Sequence, residues 1–399
     1  MAAKLTVPTS TTTPLRVAQV MECTIGGTRR HIRELSTGLA GRGVDVTLFA
    51  SAERDPTFRD DLRAIAATGV RVVELPMVRA ITPRLDVSQM LALRSAFRGG
   101  RFDVVHTHSS KAGALGRTAA LLVSPRPRIV HTPHTFAFNF TAQFSAKKRR
   151  LFLSIERGLG RRTDRLVHVS ASEREEGLAL GIVPQERAVV IENGIDTSAY
   201  ANGDRARVRA GWGVSDDTFV LGTVGLLNEA KGHADLIDAA ARLAPRHPKL
   251  RVMIVGEGDL RGPLEQRIER HGLRGVVSLL GYRRDVPDVM SGFDAFCLPS
   301  LWEGLPYVVL EAQAAGLATI VTDVNGSRDI VRADVTGLVV PKSDPAALAA
   351  AIERLVLDRA LRERLASAGR DRVRSHYALA RMIDEHVALY TGLVGRSSA

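Results

Sequence analysis

The sequence contains little cysteine and no long apolar run, and both absences exclude classes of protein. Its two cysteines, Cys23 and Cys297, lie far apart beside apolar residues, which predicts two buried free thiols and not a disulfide or a metal site. No uncharged apolar segment approaches the length of about 18 residues that a membrane-spanning helix needs. We therefore do not predict an integral membrane protein.

The start of the sequence lacks the features of an export signal. Residues 1–14 hold one lysine, no apolar core and a bias towards Thr, Ser and Pro. This composition is typical of a disordered tail and not of a signal peptide. We therefore expect the protein to stay in the cytoplasm.

Acidic residues are scarce in the first half of the chain. Residues 1–195 contain 29 Lys and Arg against 17 Asp and Glu, whereas the rest of the chain contains 26 of each kind. The formal net charge of +12 therefore belongs to the first half alone. Zinc-ligand spacings, basic zippers and aromatic RNA-binding motifs are missing, so we do not expect a nucleic-acid partner. Phosphorylated ligands or an anionic membrane surface fit the charge better.

What the sequence does contain is a regular alternation of short apolar runs with helical or loop sequence. "LRVAQVM" (15–21), a glycine pair, the helical pattern "HIRELSTGLAGRG" and "VDVTLFA" (44–50) predict a βαβ unit. Strand-like runs continue to "AVVIEN" (188–193), and a second series starts at "TFVLGTVGLL" (218–227). Such alternation predicts parallel sheets with helices on both faces.

A stretch rich in Gly, Asn, Asp and Ser separates the two series. We predict an N-terminal domain over 15–195, a hinge over 196–217 and a C-terminal domain over 218–375, with a helix at 376–395 packing back onto the N-terminal domain. The predicted fold class is α/β, with two doubly wound, Rossmann-like domains facing across a cleft. Such sheets bind ligands beyond the carboxyl ends of their strands, so a substrate should lie in this cleft.

Two carboxylates, Glu303 and Glu311, lie eight positions apart in "SLWEGLPYVVLE" (300–311). The preceding strand brings Ser300 to the edge of the second sheet, and Pro306 suits the first turn of the following helix. The amino end of that helix can bind a diphosphate, while Glu311 can accept hydrogen bonds from ribose hydroxyls. Alternatively, both glutamates are ordinary surface residues, and their spacing alone favours this reading.

Other motifs change the balance between these alternatives. The two glutamates resemble the E-x7-E signature of the retaining glycosyltransferases of family 4, which have the GT-B fold. "GGTRRH" (26–31) is similar to that family's glycine-rich loop, "LLNEAKG" (226–232) to its phosphate-binding lysine loop and "NGID" (193–196) to its hinge. More narrowly, "HTHSSKAGALGRTAA" (106–120) and "HTPHTFAF" (131–138) resemble the branch that extends undecaprenyl-diphosphate-linked saccharides.

The resemblance implies roles for individual residues. The glycines would let the backbone approach the donor diphosphate, Lys231 would bind the leaving diphosphate, and His134 would contact the donor sugar near the reacting centre. Tyr282 marks a position whose backbone meets the base. The implied catalytic residues are His134, Lys231 and Glu303, and the implied donor contacts are Gly26, Gly27, Lys231, Tyr282, Glu303, Gly304, Leu305 and Glu311.

One position departs from the family pattern. The family places an arginine five residues before the lysine, and this chain has Leu226 there. Leucine cannot hold a phosphate, so either Lys231 and the helix end suffice or another arginine enters from elsewhere. The chain has no D-x-D motif, so we expect a diphosphate site without a metal, and no cofactor.

The acceptor is expected on the N-terminal domain. His108, Lys111 and Arg117 follow a strand end, where they could meet an acceptor phosphate. Residues 126–165 hold ten basic residues against two acidic ones, which favours docking on an anionic membrane. Within this stretch, the spacing of Leu151, Phe152, Ile155 and Leu159 predicts a helix buried against its own sheet, with a basic outer rim.

These features together predict a retaining, metal-independent transferase. It would move a hexose or N-acetylhexosamine from a nucleotide-diphosphate sugar, with UDP expected, to a lipid-linked saccharide at the inner membrane face. Three alternatives stay open: a small soluble acceptor such as an aminocyclitol or inositol phosphate, a UDP-sugar 2-epimerase that needs no acceptor, and a non-catalytic subunit that binds a nucleotide sugar. The leucine at position 226 keeps the last alternative open.

Overall fold

A computed structural model describes residues 14–139, 144–201 and 203–395. Its strands form two sheets in which all pairings between neighbours are parallel. The first sheet contains β1 (Arg16–Met21), β2 (Asp45–Ala50), β3 (Arg71–Glu74), β4 (Val104–His108), β5 (Arg128–Thr132), β6 (Arg165–His168) and β7 (Ala188–Val190). The second contains β8 (Phe219–Val224), β9 (Leu250–Val255), β10 (Val277–Gly281), β11 (Ala295–Leu298), β12 (Ala318–Thr322) and β13 (Leu338–Val340).

The strand order is 3-2-1-4-5-6-7 in the first sheet and 10-9-8-11-12-13 in the second. Chain progression therefore reverses between β1 and β4 and between β8 and β11, which are the two switch points where such sheets bind ligands. The predicted α/β class, with two doubly wound sheets, is confirmed. The strands predicted from apolar runs all form. The central strands are buried, because both faces of each sheet are covered, whereas the edge strands β3, β7 and β10 are buried only in part.

Helices connect the strands in both halves. In the first half they are α1 (Gly26–Ala40), α2 (Phe58–Ala66), α3 (Pro83–Gly100), α4 (Ser110–Leu121), α5 (Ala146–Gly160) and α6 (Ala171–Ala179). Further along the chain are α7 (Arg205–Gly211), α8 (His233–Leu243), α9 (Arg261–Arg270), α10 (Val286–Ser291), α11 (Tyr307–Ala314), α12 (Ser327–Ile330), α13 (Pro345–Leu357), α14 (Arg359–His376) and α15 (Leu379–Leu393). Among the described residues, no helix has both the length and the apolar character needed to cross a membrane.

The segments outside the two sheets have definite positions. Residues 196–217, for which we predicted a hinge, include α7, which packs against α10. The last helix, α15, places Met382, Ile383 and Tyr390 in the apolar core of the first sheet beside Ile32 of α1. The tail predicted over residues 1–14 lies, apart from Pro14, outside the described residues.

Both cysteines are free thiols, as the sequence predicted. Cys297 in β11 is fully buried, whereas Cys23 is only partly buried, because it follows β1 at the sheet edge that borders the cleft.

Candidate active site

The lysine loop and the first signature glutamate meet at the carboxyl edge of the second sheet. The ammonium of Lys231 lies 2.5 Å from Oε1 of Glu303, and Oγ of Ser300 donates to the same oxygen at 2.6 Å. Gly232 holds the loop against the end of β11, because its φ is +61° and an added Cβ would lie 2.0 Å from the carbonyl oxygen of Pro299. The structure therefore fixes a lysine and a carboxylate side by side at this switch point.

Helix α11 begins one residue later than the sequence predicted. Pro306 has extended backbone angles and precedes the first helical residue, Tyr307, instead of standing inside the first turn. The beginning of this helix faces the other domain, since the carbonyl of Leu305 accepts a hydrogen bond of 3.0 Å from the side-chain amide of Asn193. The amino end of α11 consequently lies between the two sheets.

The glycine-rich segment lies directly opposite this helix end. Gly26 has a φ of +55° and starts α1, so the predicted loop is the first turn of a helix. A Cβ on Gly27 would lie 3.3 Å from the ring of Tyr307. The two domains therefore approach each other closely where the diphosphate is expected, and a side chain at Gly27 would crowd the ring of Tyr307.

The second signature glutamate, Glu311, is bound by two residues that the sequence did not single out. A guanidinium nitrogen of Arg30 forms a close ion pair with Glu311, and the hydroxyl of Tyr200 donates to the same carboxylate at 2.7 Å. Arg30 is also bound to Glu34 at 2.7 Å, and its guanidinium stacks over the ring of Tyr307, 5.1 Å from its centroid. The only sequence signal for Arg30 was its place one helical turn after the glycine pair.

His134 of the first domain lies next to Gly304, the residue after Glu303. It follows β5 with a φ of 56°, and Thr135 has a φ of 101°, so two consecutive residues adopt a backbone conformation that side chains disfavour. Oε1 of Glu173 accepts a hydrogen bond of 2.7 Å from the amide of Thr135 and so holds the turn in place. A Cβ on Gly304 would lie 3.2 Å from the carbonyl oxygen of His134. His134 and the turn at Glu303 and Gly304, called the glutamate turn below, are thus neighbours although they belong to different domains.

The imidazole of His134 is uncharged at neutral pH. Burial, with a smaller contribution from His386, lowers the pKa of His134 to about 3. Its Nε2 lies 3.1 Å from Nδ1 of His108, whose own Nε2 donates to the side-chain carbonyl of Gln19 at 2.6 Å. Because Gln19 fixes the proton on Nε2 of His108, Nδ1 of that ring must accept the proton of His134. His134 is therefore held as a neutral ring in a single orientation.

Three histidines form a group that could hold a metal ion. Ring nitrogens of His31, His108 and His134 all lie within 4.8 Å of one another, and imidazole nitrogens are common ligands of transition metals. Nδ1 of His108 and Nε2 of His134 are already hydrogen-bonded to each other. Nδ1 of His31 is bound at 3.1 Å to the side-chain oxygen of Asn193.

The three predicted acceptor residues differ in burial and in their partners. Lys111 lines a cavity of about 410 Å³ beside His134, although its ammonium is paired with Asp86 at 2.5 Å. His108 is completely buried behind His134, so it supports that histidine instead of facing an acceptor. Arg117 is also completely buried, and its guanidinium is bound to Glu156 at 2.8 Å. The prediction that Arg117 meets an acceptor phosphate is therefore wrong: it is part of a core ion pair.

This core ion pair gives a stability prediction. Replacing Glu156 with Met should lower the free energy of unfolding by about 3–5 kcal/mol, because it leaves the buried guanidinium of Arg117 without a counter-charge. Urea unfolding followed by circular dichroism measures the change. Asp60, paired with Arg63 on the surface, is the control: Asp60→Asn should change the free energy by less than about 1 kcal/mol. Equal effects of the two substitutions would show that the buried pair carries no special weight.

The basic helix α5 packs differently from the prediction. Leu151 and Ile155, expected in its buried stripe, are 50% and 38% exposed, while Glu156 and Gly160 face the interior. The core pair with Arg117 turns the acidic side of the helix inwards. As a result, Ile155 lines the 410 Å³ cavity together with Ile81, Phe144 and Phe152.

A larger cavity of about 850 Å³ touches the other side of the glutamate turn. Trp302 and Glu303 line it from the second domain, and Arg149 and Arg150 of α5 line it from the first. Glu303 therefore lines one cavity and His134 lines the other. The remaining predicted donor residue, Tyr282, lies at the end of β10 and is 67% exposed, whereas Leu305 is buried.

Comparison with known proteins accounts for both halves of the chain. The family model described as Glycosyltransferase Family 4 matches residues 25–199, and the model described as Glycosyl transferases group 1 matches residues 204–372. The chain is 31% identical over 333 residues to the Escherichia coli UDP-Gal:alpha-D-GlcNAc-diphosphoundecaprenol alpha-1,3-galactosyltransferase, covering 82% of this chain and 84% of that protein. It is 30% identical over 400 residues to a D-inositol 3-phosphate glycosyltransferase of Geodermatophilus obscurus, covering 94% of this chain and 86% of that one.

Solved structures share the architecture. Anabaena HepE in complex with UDP-glucose superposes with a TM-score of 0.80 at 20% identity, covering 95% of this chain and all of that one. A sucrose-phosphate synthase from Thermosynechococcus elongatus gives a TM-score of 0.82 at 22% identity, with 96% of this chain covered and all of that one. With both family models matched and the two-sheet fold shared, the chain belongs to the glycosyltransferases of family 4 and has the GT-B fold.

Proposed function

We propose that this protein is a retaining glycosyltransferase that transfers a hexose or N-acetylhexosamine from a UDP-sugar to a lipid-linked saccharide. One observation carries the proposal: the ion pair between Lys231 and Glu303 of the second domain lies next to Gly304, which packs against the backbone of His134 of the first domain. The names of the relatives support the substrates, since the E. coli protein uses UDP-Gal and a diphosphoundecaprenol acceptor. HepE, which shares the fold, has been crystallised with UDP and UDP-glucose.

In this proposal the donor lies between the beginnings of α1 and α11. Its diphosphate is bound by Lys231, by the amino end of α11 and by the backbone at Gly26 and Gly27. The sugar hydroxyls bind Glu303 and the backbone of Gly304, with His134 beside the anomeric carbon. The ribose hydroxyls bind Glu311. The base lies near the exposed end of β10.

The proposed chemistry is a front-face displacement. The acceptor hydroxyl attacks the anomeric carbon from the side on which the diphosphate leaves, and a diphosphate oxygen takes the hydroxyl proton. The bond between the anomeric carbon and the diphosphate oxygen breaks, and Lys231 stabilises the negative charge that develops there. Glu303 is engaged by Lys231 and Ser300, so we assign it to substrate binding and not to a covalent intermediate.

The 410 Å³ cavity suits the acceptor. His134 and Lys111 contribute polar groups to its lining, whereas Phe152 and Ile155 contribute apolar surface. A saccharide diphosphate linked to a lipid has the same combination, with a polar head and an apolar chain. Because α5 also exposes Leu151 and carries basic side chains, we propose that this face rests on an anionic membrane from the cytoplasmic side.

A second acceptor class has a specific observation in its favour. The relative from Geodermatophilus obscurus is named for transfer to D-inositol 3-phosphate and is 30% identical over nearly the whole chain. Lys111 in the cavity could bind a small phosphorylated acceptor as well as a lipid diphosphate.

Transfer should not require a metal. Lys231 and the helix end supply the positive charge that a metal would otherwise bring to the diphosphate. The enzyme is incubated with EDTA and passed through gel filtration in metal-free buffer. Its initial rate of UDP release should stay within about twofold of the rate of the untreated enzyme. A loss that added Mg²⁺ or Mn²⁺ restores would show that the site works with a metal.

The test of function is a panel of UDP- and GDP-sugars, each with and without undecaprenyl-diphosphate saccharides or inositol phosphates. We expect nucleotide release only when a UDP-sugar and a lipid-linked acceptor are both present. Release of UDP when inositol phosphate, and not a lipid-linked saccharide, accompanies the UDP-sugar would favour the second acceptor class. Conversion of the donor sugar without an acceptor would indicate an epimerase, and binding of UDP without any turnover would indicate a non-catalytic subunit.

A further inference from the structure

Leu226 faces the other domain. It is 38% exposed, and its Cδ1 would lie 4.0 Å from a Cβ placed on Gly26, the first residue of α1. In the family this position carries an arginine, so a positive charge would point from the second domain towards the glycine-rich turn. Here the position is apolar, and Lys231 is the cation of the second domain that we assign to the diphosphate.

A cation from the opposite domain reaches the same region. Arg30 lies on α1 one turn after Gly26, and its guanidinium covers the ring of Tyr307 at the amino end of α11. The side chain is only 19% exposed and is shared between two carboxylates, Glu34 of its own helix and Glu311 of the second domain. One guanidinium is therefore shared between two carboxylates.

The two signature glutamates consequently share one feature, since each is paired with a cation. Glu303 holds Lys231, and Glu311 holds Arg30. Each carboxylate is the proposed partner of donor hydroxyls, which carry no charge, and each cation suits a phosphate. A nucleotide sugar brings both kinds of group, so it can replace both ion pairs at once with hydrogen bonds and charge-assisted contacts.

We propose that Arg30 is a diphosphate-binding residue of the donor site. It takes the role of the arginine that the family has at the position of Leu226. On donor binding, the ribose hydroxyls take Glu311 and release the guanidinium of Arg30 to the diphosphate, while the sugar hydroxyls take Glu303 and release Lys231. The diphosphate then links the two domains, because Arg30 belongs to α1 and Lys231 to the loop after β8. This inference rests on the proposed use of a UDP-sugar.

The test is calorimetric binding of UDP and uridine to variants of the full chain. Arg30→Gln should weaken UDP binding by roughly 10- to 100-fold, the range of a lost charge-assisted contact, and leave uridine binding within about twofold. Arg33→Gln on the same helix is the control and should change neither, since its side chain is 46% exposed. Placing an arginine at the family position, in the double variant Arg30→Gln with Leu226→Arg, should recover at least about tenfold of the lost affinity.

Several outcomes would overturn the inference. UDP binding by Arg30→Gln at the wild-type level would do so, as would equal losses for UDP and uridine. If Arg30 only neutralised Glu311, Arg30→Gln would weaken the binding of uridine as much as that of UDP, because both ligands carry the ribose that we assign to Glu311. Thermal unfolding of each variant identifies any that fail to fold. Failure of the wild-type protein to bind UDP would overturn the proposed function together with this inference, whereas normal binding by Arg30→Gln would overturn this inference alone.

Discussion

Replacing Lys231 with alanine is expected to lower the rate of sugar transfer by roughly 100- to 1,000-fold, while UDP binding weakens by only about 10- to 100-fold. The difference arises because negative charge on the diphosphate grows as the glycosidic bond breaks, so the ammonium stabilises the transition state more than the bound donor. Initial rates at saturating acceptor and calorimetric binding of UDP measure the two effects separately.

The control for Lys231 is another lysine of the same domain. Lys249 is paired with Asp217 at the surface and is 66% exposed, so Lys249→Ala should leave rate and binding unchanged. If Lys231→Ala changed the rate no more than it changed UDP binding, the lysine would be a binding residue without a role in bond cleavage. Near-normal values for both would reject its place in the site.

Replacing Glu303 with glutamine should abolish most transfer, with a loss of roughly 100-fold or more, yet leave UDP binding intact or tighter. The substitution removes the carboxylate that we assign to the transferred sugar and also frees Lys231 from its ion pair. UDP lacks the transferred sugar, so it loses no contact at position 303 and gains a free ammonium. A UDP-sugar loses one contact and gains the other.

Measurements of UDP and UDP-sugar binding side by side separate these effects. Glu229, in the loop of Lys231, is exposed, and Glu229→Gln should bind UDP and the UDP-sugar as the wild type does. Weaker binding of UDP to Glu303→Gln would mean that the carboxylate holds the lysine in place for the diphosphate. In that case its contribution would be structural, and the assignment to the sugar hydroxyls would fail.

The fold could be predicted because it depends on local patterns. Buried parallel strands are apolar along their whole length, and glycines and polar clusters mark their ends, so the runs at 15–21 and 218–227 located β1 and β8 correctly. Helix α5 was harder. Its apolar positions predicted a buried stripe, but the charge pair between Arg117 and Glu156, 39 positions apart in sequence, decided which side faces inwards.

The candidate site was predictable only as far as each element carries its own motif. Lys231 and Glu303 lie on loops that follow neighbouring strands of one sheet, and Glu311 lies in the helix after the second loop, so a signature could point to them. Arg30 was missed because its partner Glu311 lies 281 positions away in the other domain. Contacts of this kind depend on how two complete sheets face each other, and no local spacing encodes them.

The same reasoning explains the histidines. His108 ends β4 and His134 follows β5, and these strands are neighbours, so their carboxyl ends come together. Sequence placed both residues at this edge but could not tell which one faces the cleft. The hydrogen bond from His108 to Gln19 of β1 settles it, because it holds His108 inside the sheet edge and leaves His134 on the cavity.

The central claim is that a nucleotide diphosphate binds between the beginnings of α1 and α11, beside Lys231. A crystal structure of the protein with UDP tests it most directly. We expect phosphate oxygens within about 3 Å of the ammonium of Lys231, with the pair between Lys231 and Glu303 broken. A nucleotide bound elsewhere, with that pair and the pair between Arg30 and Glu311 both intact, would contradict the account.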